Sequence, residues 1–124
     1  MKFLLDVNAL IAWRHPNAQG HATFHVWRRA HAADTLASCA ITDLGFLRIS
    51  MIAFHYEVAQ ATTALAAIKG ELGEFISDLP APVMPAWAQS AARTTDAYLV
   101  QVAGHHGATL ATFDRNIPGA LVIR

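Results

Sequence analysis

The chain has 124 residues, of which 54% are hydrophobic and only 15% charged. This describes a single globular domain over residues 1–124 and excludes a disordered segment. Nine Lys and Arg offset nine Asp and Glu, so the formal net charge is zero, and any nucleic-acid binding has to come from a local site rather than a basic surface. The one cysteine, Cys39, excludes an internal disulfide framework and a multi-cysteine zinc site. No apolar run reaches the roughly 18 residues that a membrane span needs. Asp6 and Asn8 interrupt the apolar N-terminus too early for a signal peptide, so a cytoplasmic protein is expected.

Residues 2–5, Lys-Phe-Leu-Leu, form an apolar run that stops at Asp6, the pattern of a short buried strand with an acid at its carboxyl end. Asp6-Val7-Asn8 then opens a helix through Trp13, because Asp and Asn oxygens accept amide protons that a first turn leaves orphaned. His15-Pro16-Asn17 is a break. A helix is expected from about residue 18 to 33, marked by Phe24, Val26, Trp27 and Ala30, followed by a turn at Asp34 and a strand over 35–40. Ile41-Thr42-Asp43 begins another helix, with Leu44, Leu47, Met51 and Phe54 at helical spacing. The Ala-rich stretch 58–77 reads as one helix or as two divided near Gly70 and Gly73. Leu79-Pro80-Ala81-Pro82 is a loop, Val83-Met84 a candidate short strand, and 86–91 a weak helix. Thr94-Thr95-Asp96 starts a helix that runs to His105, with Gly107 as its terminator. Residues 108–113 form a strand ending at Asp114, and 121–123 a last strand. The order is that of an α/β fold in which a mostly parallel central sheet lies between helices.

The acids occupy an informative set of positions. Asp6 and Asp114 each end an expected strand, while Asp43 and Asp96 each sit in the first turn of an expected helix. In an open α/β sheet, strand carboxyl ends and the helix starts that follow them share one edge, where ligands bind. Carboxylates gathered there repel one another and need either raised pKa values or cations. Mg²⁺ suits an all-oxygen site, and a pair of such ions about 4 Å apart can drive phosphodiester cleavage. Capping, worth about 0.5–2 kcal/mol, explains any one of these acids alone; four placed this way point to an active site.

Four segments carry a family likeness: Leu4-Leu5-Asp6-Val7-Asn8-Ala9-Leu10, Ile41-Thr42-Asp43-Leu44-Gly45-Phe46-Leu47-Arg48, Thr95-Asp96-Ala97-Tyr98-Leu99 and Leu110-Ala111-Thr112-Phe113-Asp114-Arg115. In this order, across nearly the whole chain, they resemble the PIN-domain ribonucleases, and within them the VapC-type toxins of bacterial toxin–antitoxin pairs. The resemblance implies a three-layer α/β/α fold, Mg²⁺- or Mn²⁺-dependent endoribonuclease chemistry on an RNA substrate, a homodimer, and a cognate antitoxin that covers or plugs the site. It places catalytic acids at Asp6, Asp43, Asp96 and Asp114, with Asp6, Asp96 and Asp114 holding metal, Asp114 directly or through water. Where the family usually has Glu, this chain has Asp43; its side chain is one methylene shorter, which puts its direct ligation in question and leaves it a role in positioning water. Asn8 is expected to tie Asp6 in place, and Thr112 to bond a metal water or a phosphate, although both residue types also commonly bond nearby backbone. Arg48 and Arg115 follow two of the acids and either bind RNA phosphate or form ordinary surface pairs.

Two other functions compete. A catalytically impaired PIN domain that binds RNA or protein is supported only by Asp43. A phosphoryl-acceptor domain using Asp6 would want a lysine near the acids, and the chain has only Lys2 and Lys69. Among the remaining residues, His21 and His25 are four apart on an expected helix but lack a third ligand of matching spacing. His105-His106 suits a helix C-terminus, Arg28-Arg29 a solvated helix face, and Cys39 a buried strand position. Trp13, Trp27 and Trp87 suit a core or interface. Val58, Leu65 and Ile68 suit the protein's own core, or a second subunit or antitoxin helix.

Overall fold

A computed structural model describes residues 1–124. The elements run β1 (Lys2–Leu5), α1 (Val7–Arg14), α2 (His21–Ala30), β2 (Thr35–Cys39), α3 (Ala40–Phe54), α4 (Val58–Lys69), β3 (Glu74–Ile76), α5 (Ala91–His105), β4 (Thr109–Thr112) and β5 (Leu121–Val122). The strands form one sheet in the order β3-β2-β1-β4-β5, and every pairing is parallel. β1 is central, with Phe3 opposite Leu36 and Leu4 opposite Leu110. Both of its faces are covered, which is why it reads as a continuous apolar run instead of alternating.

Side chains alternate across β1 and build two cores. Phe3 and Leu5 join Leu10, Trp27, Phe46 and Ile68 beneath α1 to α4. Leu4 faces the other way, with Cys39, Leu99, Val102 and Leu110 beneath α5. The result is the α/β/α layering expected. No helix is long and apolar enough to cross a membrane.

Several boundaries differ from the sequence expectation. The Ala-rich stretch is not helical to residue 77: α4 ends at Lys69 and residues 74–76 form an edge strand. The chain turns at Gly70, and Gly73 donates its amide to Leu36 O at 3.0 Å. A Cβ at Gly73 would lie 3.0 Å from Thr35 Cγ2, so only glycine enters that pairing without displacing its neighbour. Val83-Met84 is exposed irregular chain, and the expected helix over 86–91 is absent up to residue 90. Instead α5 begins at Ala91, with Ser90 Oγ accepting from Arg93 N, so Asp96 lies in the second turn. α2 is shorter than expected at both ends. Val58 is exposed, whereas Ile68 is in the core.

The histidines of α2 serve the backbone. His21 Nδ1 reaches Ala12 O at 2.7 Å and His25 Nε2 reaches Trp13 O at 3.0 Å, so both rings cover carbonyls that the end of α1 leaves open. Arg28 is not simply solvated: its guanidinium stacks 4.1 Å over Trp13 and pairs with Glu71 at 3.3 Å. Trp13 and Trp27 are buried and Cys39 is fully so, while Trp87 flanks the second core.

His15 is 2% exposed. Its Nε2 meets Ser50 Oγ at 2.8 Å, and the ring stacks on Phe54 with centroids 4.0 Å apart. Burial, with the nearby Arg14 charge, lowers its pKa below the ordinary 6.5. Below pH 6.5 the unfolded chain therefore binds a proton that the folded chain refuses, so stability falls as the pH drops from there toward the depressed folded value. Urea midpoints at pH 7.5 and 5.5 are expected to show this loss, and His15→Phe to flatten that part of the profile.

Candidate active site at the carboxyl edge of the sheet

β1 and β4 are neighbours and parallel, so their carboxyl ends emerge side by side. Asp6 N donates to Ala111 O at 2.9 Å as the two strands end. Asp6 then caps α1, its Oδ1 accepting from Val7 N at 2.7 Å. Its other oxygen, Oδ2, accepts from the Thr112 hydroxyl at 2.7 Å. Both carboxylate oxygens are thus oriented from two elements.

Thr112 is fully buried and its hydroxyl is committed within the protein, so it positions Asp6 instead of meeting a phosphate. Asn8 differs from expectation too. Its contacts run to β4: Nδ2 donates to Thr112 Oγ1 at 3.2 Å and Oδ1 accepts from Phe113 N at 3.1 Å. It therefore acts on Asp6 through Thr112, by stitching α1 to the end of β4. Asp114 follows, with its amide donating to Thr112 Oγ1 at 3.1 Å and its Oδ1 accepting from Asn116 N at 2.8 Å.

Asp96 arrives from α5, on the opposite side of the sheet from α1. Asp6, Asp96 and Asp114 line one cleft of about 990 Å³, together with Asn8, Arg115 and Arg124. Ile11, Phe54 and Phe113 contribute an apolar wall. A Cβ at Gly20, whose φ is +86°, would lie 3.0 Å from the Phe113 ring, so the loop before α2 can close on that wall only as glycine.

Two of the acids respond to their acidic neighbours. Burial raises the Asp6 pKa and the Asp114 charge raises it further, against the opposing bonds from Thr112 and Val7. Burial also raises that of Asp96, and the charges of Asp6 and Asp114 add to it, while Arg93 opposes. Three carboxylates lining one cleft offer hard oxygen donors of the type that suits a divalent cation such as Mg²⁺ or Mn²⁺.

Two expected site residues lie elsewhere. Arg48 is exposed on α3 and does not line the cleft. Asp43 is buried and is also absent from the cleft lining. Its Oδ2 instead lies 2.8 Å from Lys69 Nζ. Lys69, the last residue of α4, also sits 3.9 Å above the Phe75 ring of β3, while Asp43 Oδ1 has no hydrogen-bond partner. Only the docking of α4 against α3 creates this pair; its sole sequence signal is a single lysine closing an Ala-rich helix. Lys69→Met leaves Asp43 buried without its cation, so a loss of about 1–3 kcal/mol is expected, with partial recovery in Lys69→Met/Asp43→Asn. Urea unfolding of the three proteins checks it.

An acid-lined cleft at the carboxyl edge of a parallel sheet, between helical layers, defines a PIN-like α/β/α architecture. No family model matches the chain. Among curated proteins of Mycobacterium tuberculosis, Ribonuclease VapC39 is 33% identical over 92% of this chain and 89% of its own length. Ribonuclease VapC38 is 31% identical over 92% of this chain and 86% of its own, and Ribonuclease VapC44 34% identical over 97% and 94%. Among solved structures, the crystal structure of VapBC2 from Rickettsia felis, bound to a DNA fragment from their promoter, matches 98% of this chain and 97% of its own with a TM-score of 0.65 and 15% identity, a likeness of fold. The chain belongs to the VapC ribonuclease family.

Proposed function

We propose that this VapC ribonuclease hydrolyses RNA phosphodiester bonds in the cleft between Asp6, Asp96 and Asp114, and that those three carboxylates hold Mg²⁺ or Mn²⁺. The observation that carries the proposal is that three acids from the two ends of the chain line one cleft, with the pKa values of Asp6 and Asp96 both raised by burial and by the charge of a neighbouring acid. A bound divalent ion supplies Lewis acidity and a water activated at neutral pH. The chain's own residues do the rest. Thr112 and the Val7 amide hold the Asp6 carboxylate in one orientation, and Asn8 keeps α1 from sliding along β4. Arg115, exposed at the rim of the cleft, supplies a guanidinium matched to backbone phosphate. The apolar wall limits water around the scissile group. Asp43 acts from behind this site, through the packing of α3 and α4.

As a VapC ribonuclease the protein is the toxin of a toxin–antitoxin pair; a cognate antitoxin that covers the cleft, a homodimeric state and a cytoplasmic location belong to the same reading. A second reading, a PIN domain that binds RNA without cutting it, is favoured by the engagement of Asp43 with Lys69. Incubation of the antitoxin-free protein with total tRNA and ribosomal RNA, in Mn²⁺, Mg²⁺ or EDTA, separates them. Metal-dependent cuts support the ribonuclease. RNA retained intact by folded protein in both metals supports the binding module.

The pKa directions give an independent check. Because Asp6 and Asp96 titrate above the ordinary 3.8 in the fold, the folded state binds more protons just above that value, and stability falls as the pH rises through the window. At neutral pH the ionised cluster is a net cost that a cation offsets. Mn²⁺ is therefore expected to raise Tm at pH 7.5, to raise it less at pH 4.5, and to lose most of the effect in Asp6→Asn.

A further inference from the structure

The C-terminal end of α5 carries a second group of metal-type ligands. Asp96 lies near the start of α5, and the helix ends nine residues later at His105, roughly 13 Å further along its axis at 1.5 Å per residue. There Lys2 Nζ donates to His106 O at 3.3 Å, which places the helix end beside the start of β1. Asp78, just after β3, meets the same point. Its Oδ2 is 3.6 Å from His105 Nε2, and its main-chain oxygen accepts from His106 Nε2. One ligand atom from each of Asp78, His105 and His106 lies within 4.8 Å of the other two.

We propose that Asp78, His105 and His106 form a binding site for a transition-metal dication of the Zn²⁺ type, separate from the carboxylate cleft. Two imidazoles and one carboxylate are the donor set that Zn²⁺ takes in three-ligand sites, with water as the fourth ligand, and they do not suit Mg²⁺. Tetrahedral bonds of about 2.0–2.1 Å place ligand atoms roughly 3.3 Å apart. The 3.6 Å between Asp78 and His105 is already close to that. His105 at 49% and Asp78 at 78% side-chain exposure are free to rotate closer, while His106 ligates either through Nδ1 or by giving up its Nε2 bond to the Asp78 main-chain oxygen. The carboxyl end of α5 adds a partial negative charge that favours a cation. The one fixed positive charge nearby, Lys2, is offset by Glu74 at 2.7 Å.

The site would clasp a segment that has no regular structure of its own. Between β3 and α5, residues 77–90 contain no helix or strand. This connection is held to α5 by Tyr98 Oη donating to Pro80 O, by Gln101 Nε2 donating to Ala81 O at 2.9 Å, and by Val83 N donating to Gln101 Oε1 at 2.9 Å. A metal on Asp78, His105 and His106 fastens the first part of this connection to the helix that carries Asp96. Without metal, the same groups are joined only by the exposed Asp78–His105 contact and the bond from His106 Nε2 to the Asp78 main-chain oxygen.

Calorimetric titration with Zn²⁺ alone, on metal-stripped protein kept in excess Mg²⁺ to occupy the cleft, tests the site. One Zn²⁺ per chain is expected in wild type and equally in Asp96→Asn. Binding is expected to weaken by roughly 100-fold or more in His105→Ala/His106→Ala and about 10-fold or more in Asp78→Asn, since losing even the outer-shell partner of a ligand commonly costs about 10–100-fold. A Zn²⁺-dependent rise in Tm should disappear in the same variants. Unchanged Zn²⁺ affinity in the double His variant, or binding that is lost in Asp96→Asn or in His21→Ala/His25→Ala, overturns the proposal. Circular dichroism in EDTA confirms that each variant is folded; should the double variant unfold, His105→Gln alone carries the test.

Discussion

Asp96→Asn is expected to lower the rate of RNA cleavage by on the order of 10³-fold while leaving Tm unchanged or higher. The substitution keeps the side chain's shape and removes its charge. Burial raises the Asp96 pKa, and the charges of Asp6 and Asp114 raise it further, so it is the acid on which the other two bear across the cleft. Without it the cation is held by fewer carboxylates, and removing one charged group aimed at a reacting centre commonly costs about 10²–10³ in rate. Stability moves the other way, because the loss of one of three mutually repelling carboxylates relieves the folded state. Initial cleavage rates in Mn²⁺ and a thermal melt on the same preparation read both effects. Full cleavage by the variant would remove Asp96 from the site; lost activity accompanied by a lowered Tm would assign it a structural role instead.

Gly45→Ala should destabilise the protein by about 1–3 kcal/mol, the reverse of what helix propensity alone suggests. In an exposed helix interior, alanine in place of glycine gains about 1 kcal/mol. Here a Cβ on Gly45 would lie 2.4 Å from Val7 Cγ2 and 3.3 Å from Val7 Cγ1. Val7 is β-branched and stiff at χ1, and it is the first residue of α1, so it yields only if α1 moves away from α3. Overpacking of this kind typically costs about 1–3 kcal/mol. Movement of α1 also displaces Asp6, which the Val7 amide holds, so cleavage should fall along with stability. In Val7→Ala/Gly45→Ala the contact is gone, and most of the stability should return. Urea unfolding of the four members of this double-mutant cycle measures the coupling.

The acids that share the cleft are marked in the chain because strand ends and helix starts are local signals. Asp6 follows Leu5 where an apolar run stops, and Asp114 follows Thr112 and Phe113 in the same way. A parallel sheet puts such positions on one edge whatever the intervening loops do. Asp96 is marked less well: the Thr94-Thr95-Asp96 run looks like a helix start, but the helix begins at Ala91 with Ser90 as its cap. The acid reaches the cleft from the second turn all the same, because α5 as a whole crosses beside β1 and β4. Asp43 shows where local signals stop. Its sequence context is the same as that of the other acids, but its partner is decided by the end of α4, 26 residues away.

The amino-acid sequence by itself determined the α/β class, the apolar central strand, the layered order of helices and strands, and the family motifs. These depend on hydrophobic period, capping chemistry and short contiguous segments, all of which are read within a few residues. Tertiary structure decided the rest. β3 is a three-residue strand only because β2 offers it a pairing edge. Thr112 is a positioning residue because its hydroxyl is enclosed between Asp6 and Asn8. Lys69 meets Asp43, and Gly45 must lack a side chain, because helices distant in sequence pack at contact distance. Such relations depend on where the polar and apolar surfaces of separate elements meet, and no local pattern records that.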